Sequence, residues 1–352
     1  MELYGSASFG WDIGHSSCKL AIALAGEGKS RKFDLFPTVV VPATHIDDEE
    51  TARLAAKETV NVGGQDYFVG KTAVSQGHAV VFSGQDKNWI KTPAHDALLL
   101  AAWRKSLAQL STPPKNIVIV LGLPMAYYAT QKDDLKVRAY ELLSPLLEKY
   151  QHLEIKTCSQ SRAPLVNLQH LEDGSINPKY NIETDNYAVI DIGHFTTDFC
   201  LQMGPQIRST AGDSIPGLTK VYSDVKAAFE KAGLSTHISC IDTAVCTGKI
   251  REFGVEKDVS EIVEQAAQSL RAMIIDRAQN LFGGEASQLN SVVVTGGGAP
   301  LIYEAVLKAF RNASQTKGSR YQVAEGLCRF GLFAVNNNPN MVQAITGELE
   351  HA

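Results

Sequence analysis

Apolar and polar positions along this chain switch between two periods. Residues 9–24, FGWDIGHSSCKLAIAL, alternate, break around Gly14, and then run apolar, which predicts two strands joined by a tight turn. KFDLFPTVVVPA (32–43) and TVNVGGQDYFVGKTA (59–73) add short strands punctuated by Pro and Gly-Gly. AHDALLLAAWRKSLAQL (94–110) has helical spacing, and NIVIVLGLPMAYY (116–128) reads as a buried strand ending at a Gly-Leu-Pro loop. KDDLKVRAYELLSPLLEKY (132–150) reads as a helix that Pro145 interrupts or kinks. A polar, turn-rich stretch, EDGSINPKYNIETDN (172–186), connects to a second half. There the pattern restarts with strand, Gly turn and strand at 187–203 and a helix over 217–233. A long helix follows over roughly 258–282, with Ile262, Ala266, Leu270, Ile274 and Leu281 near one face. SVVVTGGGAPLIYEAVLKAF (291–310) then reads as strand, Gly-rich turn and helix.

The restart is also visible residue by residue. WDIGHSSCKLAIA (11–23) and IDIGHFTTDFCLQ (190–202) both write Asp-Ile-Gly-His after an apolar residue and before hydroxyl side chains. The interval is far too long for a solenoid repeat, so it marks a duplicated half-molecule. At 352 residues the chain exceeds what one hydrophobic core usually serves, and two domains are expected.

Composition narrows the class. With 44% hydrophobic and 20% charged residues the chain reads as an ordinary soluble globular protein. A net charge of −5 supplies no global field toward nucleic acid or anionic lipid, so neither direct nucleic-acid binding nor a membrane partner is expected. The start, MELYGSASFGWD, lacks a long apolar run, and no stretch reaches the about 20 residues of a membrane span. Six scattered cysteines without a CxxC pair fit reduced thiols in a cytoplasmic protein, and nine histidines without HxxxH spacing predict no structural metal.

The chemistry concentrates in the two turns. A strand ends in Asp12 or Asp191, the chain turns at Gly14 or Gly193, and small hydroxyl residues follow: Ser16 and Ser17, or Thr196 and Thr197. Such turns present backbone N–H groups and hydroxyls to phosphate oxygens. Carboxylates beside a polyphosphate repel it unless a divalent cation lies between, and Mg2+ can be held through its waters. Lys19 adds the positive charge that two carboxylates make desirable. A single Asp-Ile-Gly is an ordinary hairpin turn; two copies, one of them with Lys19, favour the phosphate reading. VVVTGGGAP (292–300) brings Gly296, Gly297 and Gly298 before a helix, as a tight turn or as a close backbone approach to a nucleotide. It is neither GxGxxG nor a P-loop.

These three motifs, in this order, resemble the actin, heat-shock chaperone and sugar-kinase superfamily over essentially the whole chain. Asp12-x-Gly14-x-x-x-x-Lys19 is similar to actin's first phosphate loop. VLGLPMAYY (120–128), DYFVGKTA (66–73) and AGDSIPGLTKVYSDVKAAF (211–229) resemble, in order, segments of the bacterial actin-like plasmid-segregation group, ParM/StbA. The resemblance implies an α/β, actin-like fold of two duplicated domains flanking a nucleotide cleft. Domain I would span 1–180 with an insertion over about 35–80, and domain II 181–352, with a C-terminal helix over about 321–336 returning to domain I.

The resemblance also implies ATP or ADP, with GTP as an alternative, and Mg2+ near Asp12 and Asp191. Asp12, Gly14, His15, Ser16, Ser17 and Lys19 would form the first phosphate turn. Asp191, Gly193, His194, Phe195, Thr196 and Thr197 would form the second, with Gly212 beside it and Gly296–Gly298 against adenosine. His15 and His194 depart from relatives, which often carry small or acidic residues there. In CSQSRAPL (158–165) Gln160 stands where the plasmid-segregation relatives carry a water-positioning glutamate, and it is the residue type of actin. Asp213 either caps the following helix with Ser214 or serves magnesium or catalysis. The function implied is nucleotide-dependent self-assembly into filaments that position DNA through a DNA-bound adaptor, with slow hydrolysis timing disassembly. The alternatives are a non-polymerising ATP-binding adaptor and a small-molecule kinase.

Overall fold

The computed structural model describes residues 5–27, 31–76, 88–208 and 214–337. They fall into two units, Met1–Asn181 with Tyr321–Ala352, and Ile182–Arg320. The first unit opens with a hairpin of β1 (Ser6–Ile13) and β2 (Ser17–Leu24), followed by β3 (Arg31–Pro37). β4 (Val40–Pro42), helix α1 (Glu49–Ala56), β5 (Thr59–Val62), β6 (Gln65–Val69) and α2 (Gly70–Gln76) come next. The three strands of this segment make a small sheet of their own, in the order β4-β6-β5. Then come α3 (Pro93–Ala108), β7 (Asn116–Leu123), α4 (Met125–Leu143), β8 (His152–Ser159) and α5 (Ala163–Gln169). α3 starts where its chemistry dictates: Pro93 needs no N–H at the first position, and the Thr92 hydroxyl accepts from the His95 N–H at 3.2 Å.

In the second unit β9 (Asn186–Ile192) and β10 (Thr196–Met203) form the hairpin, with β11 (Gln206–Arg208) and β12 (Ile215–Pro216) both pairing with β10. α6 (Thr219–Ala232) and α7 (Ile238–Thr247) precede a hairpin of β13 (Lys249–Glu252) and β14 (Val255–Asp258). α8 (Ser260–Phe282), β15 (Ser291–Thr295), α9 (Ala299–Ala309) and β16 (Ala313–Gln315) complete it. The chain re-enters the first unit as α10 (Gln322–Asn336).

The two main sheets share one topology. The first runs β3-β2-β1-β7-β8 and the second β11-β10-β9-β15-β16. In each, the initial hairpin is antiparallel and the later strands join the first strand's other side in parallel. The duplication read from Asp-Ile-Gly-His therefore extends to whole sheets.

Several elements differ from the sequence reading. α4 begins at Met125, directly after Pro124, rather than near 132, because the first turn of a helix needs no N–H from the proline before it. It ends at Leu143, and Pro145 lies in a separate short 3-10 turn, Ser144–Leu146. On α8 the buried stripe is Val263, Ala266, Ala267, Leu270, Ile274, Ala278 and Phe282, one position away from Ile262 and Leu281. α7 and the β13–β14 hairpin went unread: ISCIDTAVCT is poor in strong helix formers, and its ends are set by His237 and by Gly248 at φ 71°.

β1 connects the fold to the chemistry. Phe9, Trp11 and Ile13 point into the main core of the first unit, where the Trp11 indole donates to Ser106 Oγ at 3.0 Å. Ser8, Gly10 and Asp12 lie on the opposite face. α10 packs onto this second face among Ala21, Ala23, Ala324 and Cys328. A Cβ on Gly10 would lie 2.1 Å from the Ala324 carbonyl oxygen and 2.4 Å from the Cys328 nitrogen. The Ser8 hydroxyl donates to the Cys328 carbonyl at 2.8 Å.

Ionic ties hold the far side of α10. Glu325 accepts from both Arg31 and Arg329, and Arg329 also donates to the carbonyls of Asn167 and His170 at 2.8 and 2.7 Å. Burial pushes the Glu325 carboxyl up, but Arg329 and Arg31 together outweigh it and hold it below its ordinary value.

Two stability measurements check this account. Gly10→Ala drives Cβ into helix backbone, so its urea midpoint falls by the equivalent of about 1–3 kcal/mol of overpacking. An unchanged midpoint means α10 does not sit this close. Glu325 contributes stability that is present above its unfolded value and lost as pH falls through the lower folded value. Wild type therefore loses stability as pH falls from about 4.3. Glu325→Gln loses that increment at neutral pH and shows a shallower acid limb; superimposable acid limbs would remove the ion cluster from the account.

Candidate nucleotide-binding turns

The first turn is organised around one carboxylate. Asp12 is buried at the end of β1, directly across the hairpin from Lys19. Lys19 Nζ donates to Asp12 Oδ2 at 2.8 Å, and Gln160 Nε2 donates to Asp12 Oδ1 at 2.7 Å. A carboxylate only accepts, so this bond fixes the amide: nitrogen toward Asp12, Oε1 turned away. The Gln160 backbone N–H donates to the Leu123 carbonyl at 2.8 Å, tying the residue to the end of β7. Gly122 makes room there, since a Cβ would lie 3.0 Å from Gln160 Cγ. Lys19 of the first turn and the distant Gln160 thus both meet Asp12.

The carbonyls of this turn are tied back. Thr38 donates its N–H to the Ser16 carbonyl at 3.2 Å and its hydroxyl to the Gly14 carbonyl. The His15 ring meets Trp89 edge to face at 6.4 Å, and Trp89 meets the buried His95 at 5.4 Å. Burial, followed by the charges of Arg138 and His15, pushes His95 down to about 3, so His95 is neutral at physiological pH. Ser16 is exposed, whereas Ser17 is buried and pairs with Pro37.

The second turn repeats the construction with different partners. Gly217, Leu218 and Thr219 donate their N–H groups to the carbonyls of Phe195, Gly193 and His194 at 2.8, 3.1 and 2.7 Å. The turn thereby takes up donors at the start of α6 that would otherwise lack partners. Pro216 sits opposite Thr196 as Pro37 sits opposite Ser17. The His194 ring lies 4.8 Å from Phe195 and 5.0 Å from Tyr222, whose hydroxyl donates to Asp242 at 2.7 Å. Burial holds His194 below its ordinary value against the opposing pull of Asp242. Thr196 is exposed. Thr197 faces inward, fully buried, with its hydroxyl donated to the Pro216 carbonyl at 3.2 Å, so it shares none of the turn's outer surface.

The Gly-rich turn divides its glycines by role. Gly296 has φ +87°, and a Cβ there would lie 2.4 Å from Asp191 Oδ1. A Cβ on Gly298 would lie 2.4 Å from Ile192 Cγ2. Both let this turn pack against the end of β9, a structural need that involves no ligand. A Cβ on Gly297 meets nothing within 4 Å. Gly212 and Asp213 lie outside the described residues.

Each unit by itself offers groups that suit a nucleotide. In the first, the Lys19 side chain is partly accessible and Ser16 is exposed; in the second, Thr196 is exposed and space is open over Gly297. Among the described residues no three His, Cys, Asp or Glu side chains gather into a cation cage.

Comparison with known proteins bears on this geometry. Residues 10–141 match the family model described as the N-terminal domain of actin-like proteins. Residues 189–308 match the one described as archaeal actin homologue MreB-like, C-terminal. The chain belongs to the actin-like proteins. No curated protein matches it by sequence. Its fold is similar to that of the chain in a 15-stranded ParM filament from Clostridium botulinum, at TM-score 0.67 and 19% identity over 93% of this chain and 99% of the other. It is likewise similar to the archaeal actin homologue Ta0583, at TM-score 0.68 and 17% identity over 94% and 100%. Ta0583 in complex with ADP aligns at TM-score 0.65 over the same shares of both chains, with 17% identity. The actin-like fold that the resemblance of the three motifs implied is therefore the fold observed.

Sequence reading missed Thr38, Asp198, Tyr222 and Trp89 around these turns, and it read Ser214 as a helix cap, whereas α6 starts after Leu218 and Ser214 donates to Asp198. Asp198 had a usable signal, since it stands in the second repeat where Lys19 stands in the first. Thr38 and Trp89 lie beyond the repeated segment and carried none.

Gly297→Val provides a clean test of the Gly-rich turn. Gly297 is exposed and a Cβ there meets nothing within 4 Å, so the unfolding midpoint should stay within about 0.5 kcal/mol of wild type, as at unconstrained surface sites. Adenosine, ADP and ATP affinity should all fall in titration calorimetry; a folded variant with wild-type adenosine binding removes this turn from the site.

Proposed function

We propose that this protein is an ATP-binding, filament-forming actin-like protein that positions DNA such as a plasmid in the cytoplasm, with hydrolysis controlling filament turnover. The carrying observation is the Gln160–Asp12–Lys19 arrangement. Asp12 turns the Gln160 amide so that its oxygen faces away from the carboxylate and can accept a proton of the attacking water. A neutral amide orients water without deprotonating it fully, which suits slow hydrolysis by positioning. Asp12 spends one lone pair of each oxygen on Gln160 and Lys19, and its remaining lone pairs suit the waters of a hydrated cation. When bound, Mg2+ would supply charge neutralisation between the phosphates and a carboxylate such as Asp12. Lys19 balances Asp12 and adds a cation for the phosphates.

The fold shared with the chain of a ParM filament supports the filament reading. The net charge of −5 favours a protein adaptor over direct contact with DNA.

Replacing Gln160 separates hydrolysis from assembly. Gln160→Ala should bind ATP and pellet as filaments like wild type, because assembly depends on the nucleotide-bound state and not on the chemistry. Phosphate release should fall by about one to three orders of magnitude, the range for losing one positioning group. Filaments of the variant should outlast those of wild type. Normal release in the variant moves the catalytic role elsewhere, with Asp213 next. A wild type that binds ATP yet never sediments favours the non-polymerising adaptor.

A further inference from the structure

The two hairpin turns hold equivalent carbonyls with different groups. In the second turn the Gly193 and Phe195 carbonyls accept backbone N–H groups, from Leu218 at 3.1 Å and from Gly217 at 2.8 Å. In the first turn the equivalent carbonyls, Gly14 and Ser16, both go to one residue, Thr38, which is buried between β3 and β4. The Thr38 N–H takes Ser16, as the N–H of Gly217 takes Phe195. For Gly14, however, a side-chain hydroxyl stands in for the N–H that Leu218 supplies in the second turn.

A trans peptide sets its C=O and N–H on opposite sides. With the Gly14 carbonyl turned to Thr38, the N–H of that peptide is directed away from Thr38. Turned over, the same peptide would present a carbonyl oxygen to an anion and repel it. Glycine at position 14 resists such a rotation less than any other residue would.

The direction of the Thr38 proton is itself set. A hydroxyl has one proton, and Thr38 gives it to Gly14. Cys18 Sγ lies 3.5 Å from the same hydroxyl oxygen, so the thiol is the donor in that contact. Burial pushes the Cys18 thiol up to about 12, which keeps it protonated. Cys18, Thr38 and Gly14 form a line of donors that ends on the turn carbonyl, each bond polarising the next.

We propose that Thr38 is a positioning residue of the first turn, whose hydroxyl holds the Gly14 carbonyl away from a bound polyphosphate and so sustains the turn's affinity for that anion. This rests on the nucleotide reading above and deepens it, and it concerns the first turn alone.

Titration calorimetry on the full chain, with ATP and with adenosine, tests the assignment. Thr38→Val keeps the shape of the side chain and removes the hydroxyl. Its ATP affinity should fall by about tenfold, the scale of one lost hydrogen bond whose acceptor is left unpaired. Adenosine carries no phosphate, and its affinity should hold. Thr38→Ser keeps the hydroxyl and drops the methyl, and it should bind ATP like wild type.

Wild-type ATP affinity in Thr38→Val overturns the proposal. So does an equal loss of ATP and adenosine in that variant, the mark of a merely structural role. A loss in Thr38→Ser as large as in Thr38→Val assigns the effect to packing of the methyl and overturns it too. Should Thr38→Val fail to fold, Thr38→Cys places a weak donor of similar reach at the same point. Its ATP affinity should fall while adenosine holds, and full ATP affinity there again overturns the proposal. Wild type that binds no ATP overturns the nucleotide reading itself, a result distinct from a Thr38 variant that behaves as wild type.

Discussion

The close approach of α10 to β1 is the constraint on which the first unit depends. At Gly10 the strand and helix backbones come so near that a single methyl would overlap a carbonyl oxygen. That approach requires a strand face built of Ser8, Gly10 and the neighbouring alanines. The same alternation places the next residue on this face, Asp12, at the strand's end. The small residues and the acid are one pattern with two outcomes: contact where side chains are absent, chemistry where one is present. Gly122 on β7 continues the pattern by leaving room for Gln160 to reach Asp12. Packing thereby fixes the distance at which a charged group and a neutral amide meet.

The second unit reaches a comparable turn by other means. Its Gly-rich turn leans on the end of β9 through Gly296 and Gly298, and its hairpin carbonyls take the first donors of α6. Those helix N–H groups therefore serve the protein's own turn. Each turn histidine is set against aromatic rings, Trp89 in one unit and Phe195 with Tyr222 in the other. These rings restrict the imidazoles from the outside, whereas the glycines admit neighbours from within.

Sequence reading recovered the repeated hairpins and most of the helices because their signals are local: periodicity, glycine breaks and proline. It singled out Asp12, Lys19 and Gln160 by type and order, but their meeting is a long-range fact, since Gln160 comes from the end of β8, across the sheet from β2. α7 escaped because β-branched and small residues form a helix there only under tertiary packing and caps. Thr197 misled because an adjacent pair of threonines in a strand must face opposite ways. The register puts Thr196 outside and Thr197 within. Gly296 and Gly298 answer to the tight-turn alternative in that they pack against the end of β9, since a glycine run is equally the mark of close protein packing.

Duplication with divergence at a single register position changes side-chain chemistry without changing the backbone. With a lysine across from Asp12 and an aspartate across from Asp191, the two halves carry opposite charge at equivalent backbone positions. In the first, Lys19 pairs with Asp12; in the second, Asp198 takes the hydroxyl protons of Thr196 and Ser214. The backbone supplies the common geometry, and the cross-strand residue chooses its sign. A duplicated fold can in this way give its halves different chemistry while leaving the turn itself untouched.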